Sequence, residues 1–109
     1  MKFQHKELSN GRWQKLSLAD QFAHIGSEVS RAIRWQGRDE KLFWSSVERA
    51  LELFYLTMSD FRWRHRLKEI TRLHEVFCDA VLGGKEYNSQ LQEVERYFFH
   101  FAVYSRKDR

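Results

Sequence analysis

The chain has 109 residues and a mass of 13.3 kDa, the size of one domain, since single cores span about 100 to 150 residues; two packed domains are excluded. With 42% hydrophobic and 31% charged residues and a mean hydropathy of -0.68, it is neither too polar to collapse nor apolar enough to span a bilayer, and no apolar run approaches the roughly 20 residues of a membrane helix. The net charge is +4, from 19 Lys and Arg against 15 Asp and Glu, and the single cysteine, Cys78, permits no internal disulfide and no cysteine-rich zinc site.

The opening stretch MKFQHKELSNGRWQKL lacks the apolar core and small-residue cleavage pattern of a secretory signal, so a cytoplasmic protein is expected, its core held by packing alone. The first 14 residues show no helical periodicity. Asn10-Gly11 reads as a turn, and Phe3, Leu8 and Trp13 are available to dock residues 1–16 as an N-terminal arm. Residues 17–109 then form a single helical domain.

The chain has no proline and five glycines, so little interrupts helix propagation. Ser17-Leu18-Ala19-Asp20 resembles a capping box and opens a first helix reaching about Gln36, with Leu18, Phe22, Ile25, Val29 and Ala32 on one face. Gly37 can turn left-handed after it, and Asp39 can cap the next helix. The second helix, about Glu40 to Met58, carries Phe43, Val47, Ala50, Leu51, Phe54 and Met58. The third, Phe61 to Leu82, repeats Trp63, Leu67, Ile70, His74, Phe77 and Val81 and closes at Gly83-Gly84. The fourth starts at Asn88 or Ser89, where Ser89-Gln90-Leu91-Gln92 is another capping-box candidate, and runs through Leu91, Val94, Phe98 and Phe101 to about Tyr104. Short loops make successive helices antiparallel neighbours. The expected fold is all-α, a four-helix up-down-up-down bundle with a short N-terminal arm.

Of the 19 cations five, Arg62, Arg64, Arg66, Lys68 and Arg72, fall within residues 61–72 against Glu69 alone, which leaves 14 charges of each sign elsewhere. Cations at a helix start oppose the macrodipole by about 0.3 to 1 kcal/mol each, so local stability does not account for them. Two readings are open. The cations, with Trp63 and His65 interleaved as stacking groups, form a nucleic-acid or anion-binding patch; or they are partnered by Glu40, Glu48 or Glu52 of the second helix or by Glu93 or Glu95 of the fourth.

The apolar residues near the ends of the second and fourth helices exceed what one stripe can bury. Leu53, Tyr55 and Leu56, with Tyr97, Phe99, Val103 and Tyr104, are therefore candidates for an association surface, most simply that of a homodimer. The alternative is that the N-terminal arm folds over the excess.

Catalytic signals are weak. His24 with Glu28, His65 with Glu69 and His74 with Cys78 are spaced four apart, but the pairs do not converge, so neither a metal nor another cofactor is expected. His74 reads as a core histidine hydrogen-bonded to a neighbour. Cys78 sits near a helix C-terminus beside Asp79, where nothing activates a thiol. Glu28, Glu48 and Glu52 read as solvated helix positions, and no phosphate-binding glycine loop or nucleophile elbow is present.

The blocks NGRWQKLSLADQFAHIGSEVSRAIRW and RALELFYLTMSDFRWRHRLKEITRLHEVFCD resemble a group of short, uncharacterised prokaryotic helical-bundle proteins. More loosely, the architecture is similar to the HEPN superfamily of four-helix bundles, a resemblance that implies RNA or nucleotide biology. The ribonuclease motif of that superfamily is an arginine followed, after four to six residues, by a histidine. Seven residues separate Arg66 from His74 and three separate Arg96 from His100, so no catalytic residue carries over. The expected function is a non-enzymatic, self-associating interaction protein presenting an Arg-rich patch to RNA, another nucleic acid or an acidic protein. The alternative is an RNA-processing or toxin-type protein using Arg96 and His100, or His65 with its arginines.

Overall fold

A computed structural model describes residues 11–83 and 90–107, with the backbone alone at 102 and 104–107. It contains helices α1 (Leu18–Trp35), α2 (Glu40–Met58), α3 (Leu67–Val81) and α4 (Leu91–Lys107), and two 3-10 turns, Trp13–Lys15 and Phe61–Arg66. The Ser17 hydroxyl accepts a hydrogen bond from the Asp20 N–H at 3.1 Å, and the Asp39 carboxylate accepts one from the Leu42 N–H at 3.0 Å. Each cap satisfies a donor that a helix start otherwise leaves free. Between α1 and α2, Gly37 takes a φ of 76°, where a Cβ would be strained.

Helices adjacent in sequence pack on one another, and α4 closes back on α1, giving a compact four-helix arrangement. The ring contacts show its sense. Phe22, near the start of α1, meets Phe98 at 5.6 Å and Phe101 at 4.5 Å toward the end of α4. Phe54 of α2 lies 5.5 Å from both Phe77 of α3 and Phe98 of α4, so three helices meet on one ring. Among the described residues, no helix is long and apolar enough to cross a membrane.

Three local features differ from the sequence expectations. The third helix begins at Leu67, six residues later than predicted, because the Asp60 carboxylate caps the turn at the Arg62 N–H and Trp63 leaves helical geometry, with φ -104° and ψ 17°. The cations from Arg62 to Arg66 therefore sit on a 3-10 turn and not on α-helical spacing. Trp13 does dock, fully buried, with its indole N–H donating to Thr57 Oγ1 at 3.1 Å; Phe3, Leu8 and the Ser89 cap fall outside the described residues. Finally, Glu28 and Glu52 are buried, not solvated, Glu28 because it lies on the side of α1 that packs on α2, where it faces Arg49.

Candidate functional site

The geometry of the basic segment is set by the carboxylate before it. Asp60 is buried, and its Oδ1 accepts from the Arg62 backbone N–H and from Arg62 Nε, both at 3.1 Å. Its Oδ2 accepts from Arg62 Nη2 at 2.7 Å and from Gln21 Nε2 at 2.9 Å. Burial alone would raise the Asp60 pKa, but the bonds from Arg62 and Gln21 and the adjacent guanidinium outweigh it, holding the carboxyl below its ordinary 3.8. Gln21 completes the network: its Nε2 donates to the Trp13 carbonyl at 2.9 Å, and its Oε1 accepts from Trp63 Nε1 at 3.0 Å. Arg62 Nη2 also donates to the Leu16 carbonyl at 2.7 Å. One buried amide and one buried carboxylate thus latch the N-terminal turn, α1, and the α2–α3 junction together.

The latch divides the seven predicted anion-site residues into two groups. Arg62 and Trp63 are committed to it. The Trp63 indole is half-buried under the Arg62 guanidinium, 4.4 Å from the ring centroid, and is no free stacking platform. The exposed aromatic is Phe61, 72% accessible, with the Arg64 guanidinium 4.3 Å above its ring. Arg66 lies over Phe101 at 4.4 Å and approaches Glu69 at 3.6 Å. His65, Lys68 and Arg72 are exposed, and with Arg66 they line a shallow depression of about 860 Å³ on α3, which Glu69 and Glu75 also border. Among the described residues, Arg64, His65 and Lys68 form no ion pair. Arg62 and Arg66 meet Asp60 and Glu69, neither of which was among the predicted partners.

The predicted association residues scatter. Leu53 is 1% and Leu56 is 6% accessible, so both belong to the core, where α2 is enclosed by α1 and α3; this corrects their assignment to the surface. Tyr55, Tyr97, Phe99 and Val103 are exposed, and the Tyr104 side chain lies outside the described residues. Tyr97 and Phe99, two positions apart, point about 200° apart around α4. Tyr97 flanks Phe101, with ring centroids at 6.3 Å, whereas Phe99 borders a groove between α1 and α4.

His74 is half-buried, edge-on to Phe54 at 5.2 Å, with Nε2 3.7 Å from the Cys78 sulfur. Burial pushes its pKa down, against a weaker opposing pull from Glu75, so the ring is neutral at physiological pH. Burial, then Glu75, pushes the Cys78 thiol up, which keeps it protonated. Arg96 and His100 are both exposed on α4, the His100 ring 6.0 Å from Phe99. Among the described residues, no three His, Cys, Asp or Glu side chains converge as metal ligands.

A second polar cluster was invisible to the sequence reading. Glu28 Oε1 accepts from Arg31 at 2.9 Å, while its Oε2 faces Arg49 Nε at 3.7 Å, too far for a hydrogen bond, and both of those atoms are buried without one. The signal that could have found it and the latch is the line Leu18, Gln21, Ile25, Glu28, Ala32. It has core spacing of three and four residues, and polar groups on such a line face a neighbouring helix.

No family model matches this chain, and no curated protein and no solved structure matches it either.

Proposed function

We propose that the chain is a non-enzymatic interaction protein that binds single-stranded nucleic acid on the turn Phe61–Arg66 and the start of α3. The observation that carries this reading is the Phe61–Arg64 pair, an exposed ring with a guanidinium stacked on it. The cation occupies one face of the ring and keeps its in-plane N–H donors available to phosphate or base edges. The open remainder of Phe61 offers a base a stacking surface, worth about 1 to 3 kcal/mol per base in proteins that bind single strands. Lys68 stands beside the pair without an ion-pair partner among the described residues, and with Arg64 and the exposed Arg72 it supplies the charge that draws a phosphate backbone; His65 adds an exposed ring. The latch beneath supports the reading further, since a binding turn held by buried hydrogen bonds loses little conformational freedom on binding.

An acidic protein would use the cations but has no need of an exposed ring, so the two partners separate in one experiment. Fluorescence anisotropy with a labelled single-stranded oligouridylate is run against a duplex of the same length and against polyglutamate as competitor. The expected result is preference for the single strand and an affinity that falls with salt, with a log–log slope of about -2 from three phosphate contacts. Equal binding to duplex and single strand, or displacement by polyglutamate at matched charge, would contradict it.

A further inference from the structure

We infer that the groove between α1 and α4 is the seat of a second copy of this chain, whose Phe99 fills it while its own groove receives Phe99 in return. The groove, of about 560 Å³, is open to solvent and runs over Gly26 and the covered edges of Phe22 and Phe98 between the polar side chains of Ser30, Gln92, Glu95 and Arg96. At Gly26 α1 and α4 approach closely, since a Cβ there would already be in van der Waals contact with the Cβ of Phe98 at 3.5 Å. Phe99, at the edge of the groove, is 67% accessible. A ring that exposed is unfavourable in an isolated molecule and common at the centre of protein interfaces.

Two features of this face select a second copy over an unrelated partner. The projecting ring and the hollow that would accept one lie on the same face, bordered by the same stretch of α4. That is the requirement for a two-fold contact, in which each molecule offers what the other receives. The charges beside the hollow are self-complementary as well. Glu95 and Arg96 are neighbours of opposite sign, so a copy of α4 running antiparallel across the axis brings Arg96 of each molecule to Glu95 of the other. Glu95 is already oriented, since one carboxylate oxygen accepts a hydrogen bond from the Ser30 hydroxyl. Arg96 has no ion pair among the described residues. The residues that line this groove are not those of the Phe61–Arg64 pair, so the inference stands independently of nucleic-acid binding.

The test is sedimentation equilibrium or light scattering on the full chain, with circular dichroism to establish that each variant is folded. The wild type is expected to dimerise, and Phe99→Ser to raise the dimer dissociation constant about 30-fold or more, as loss of a central aromatic anchor does. Glu95→Arg and Arg96→Glu should each be monomeric, because each places like charges across the axis. An equimolar mixture of those two variants should recover the dimer, since both cross-axis contacts are then opposite in sign. A wild type that stays monomeric up to about 100 µM, or folded variants whose mixture remains monomeric, would overturn the inference.

Discussion

The side-chain amide of Gln21 donates to the Asp60 carboxylate at 2.9 Å, across 39 residues of sequence. That bond, with the Arg62 contacts on the same carboxylate, divides the basic segment into cations that build the turn and cations that face outward.

The division predicts opposite phenotypes for residues two apart. Arg62→Ala removes the hydrogen bonds to Asp60 and Leu16 and is expected to cost about 2 kcal/mol, because the buried carboxylate loses its charged partner. Arg64→Ala, which gives up only an exposed stack on Phe61, should cost less than about 0.5 kcal/mol. Urea denaturation measures both. In the binding assay the order reverses for folded protein: Arg64→Ala lowers the salt slope by about 0.7, the share of one contact on a single strand.

The seam between α1 and α2 should be strongly non-additive. Glu28→Leu alone takes the carboxylate away from Arg49, whose Nε is buried without a hydrogen bond while its Nη2 keeps its bond to Ser45 Oγ, at an expected cost of about 1 to 2 kcal/mol. Adding Arg49→Met should return about 1 kcal/mol or more of that loss, because two apolar side chains replace a poorly matched pair. A double variant that loses the sum of the two single losses would show that the pair does not interact.

Stability should fall in two stages on acidification. The His74 pKa is lowered on folding, so its contribution is complete above the unfolded value near 6.5 and is lost as the pH falls through the lower folded value. The Asp60 pKa is lowered too, so the latch contributes fully above about 3.8 and is lost below it. Urea midpoints measured from pH 7 to pH 3 check both signs. His74→Phe should flatten the upper stage and leave the lower one.

The helices were legible because their signals are local. Ser17, Asp39 and the apolar stripes act within a few residues of themselves, and α1 and α2 run where those signals place them. The start of α3 was not legible, because its competitor is distant. Trp63 continues the apolar period of the helix, yet its indole is drawn to Gln21, 42 residues away, and the turn tightens to reach it. The core residues Leu53 and Leu56 were misplaced on the surface for a related reason: an all-round apolar stretch states that more than one neighbour is present without saying which. The basic cluster was legible in position, whereas its partition was not, since Asp60 looks like a helix punctuator until Arg62 and Gln21 are seen to fold onto it.

The central claim, that Phe61 and Arg64 are the centre of a surface for single strands, is tested most directly by titrating isotopically labelled protein with oligouridylate and following its NMR signals. The account predicts salt-sensitive shifts concentrated at the Phe61 ring, Arg64, His65 and Lys68, and their loss in a folded Phe61→Ala, Arg64→Glu variant. Saturating nucleic acid that moves no signal in that segment, or moves signals chiefly beside Phe99, would contradict it.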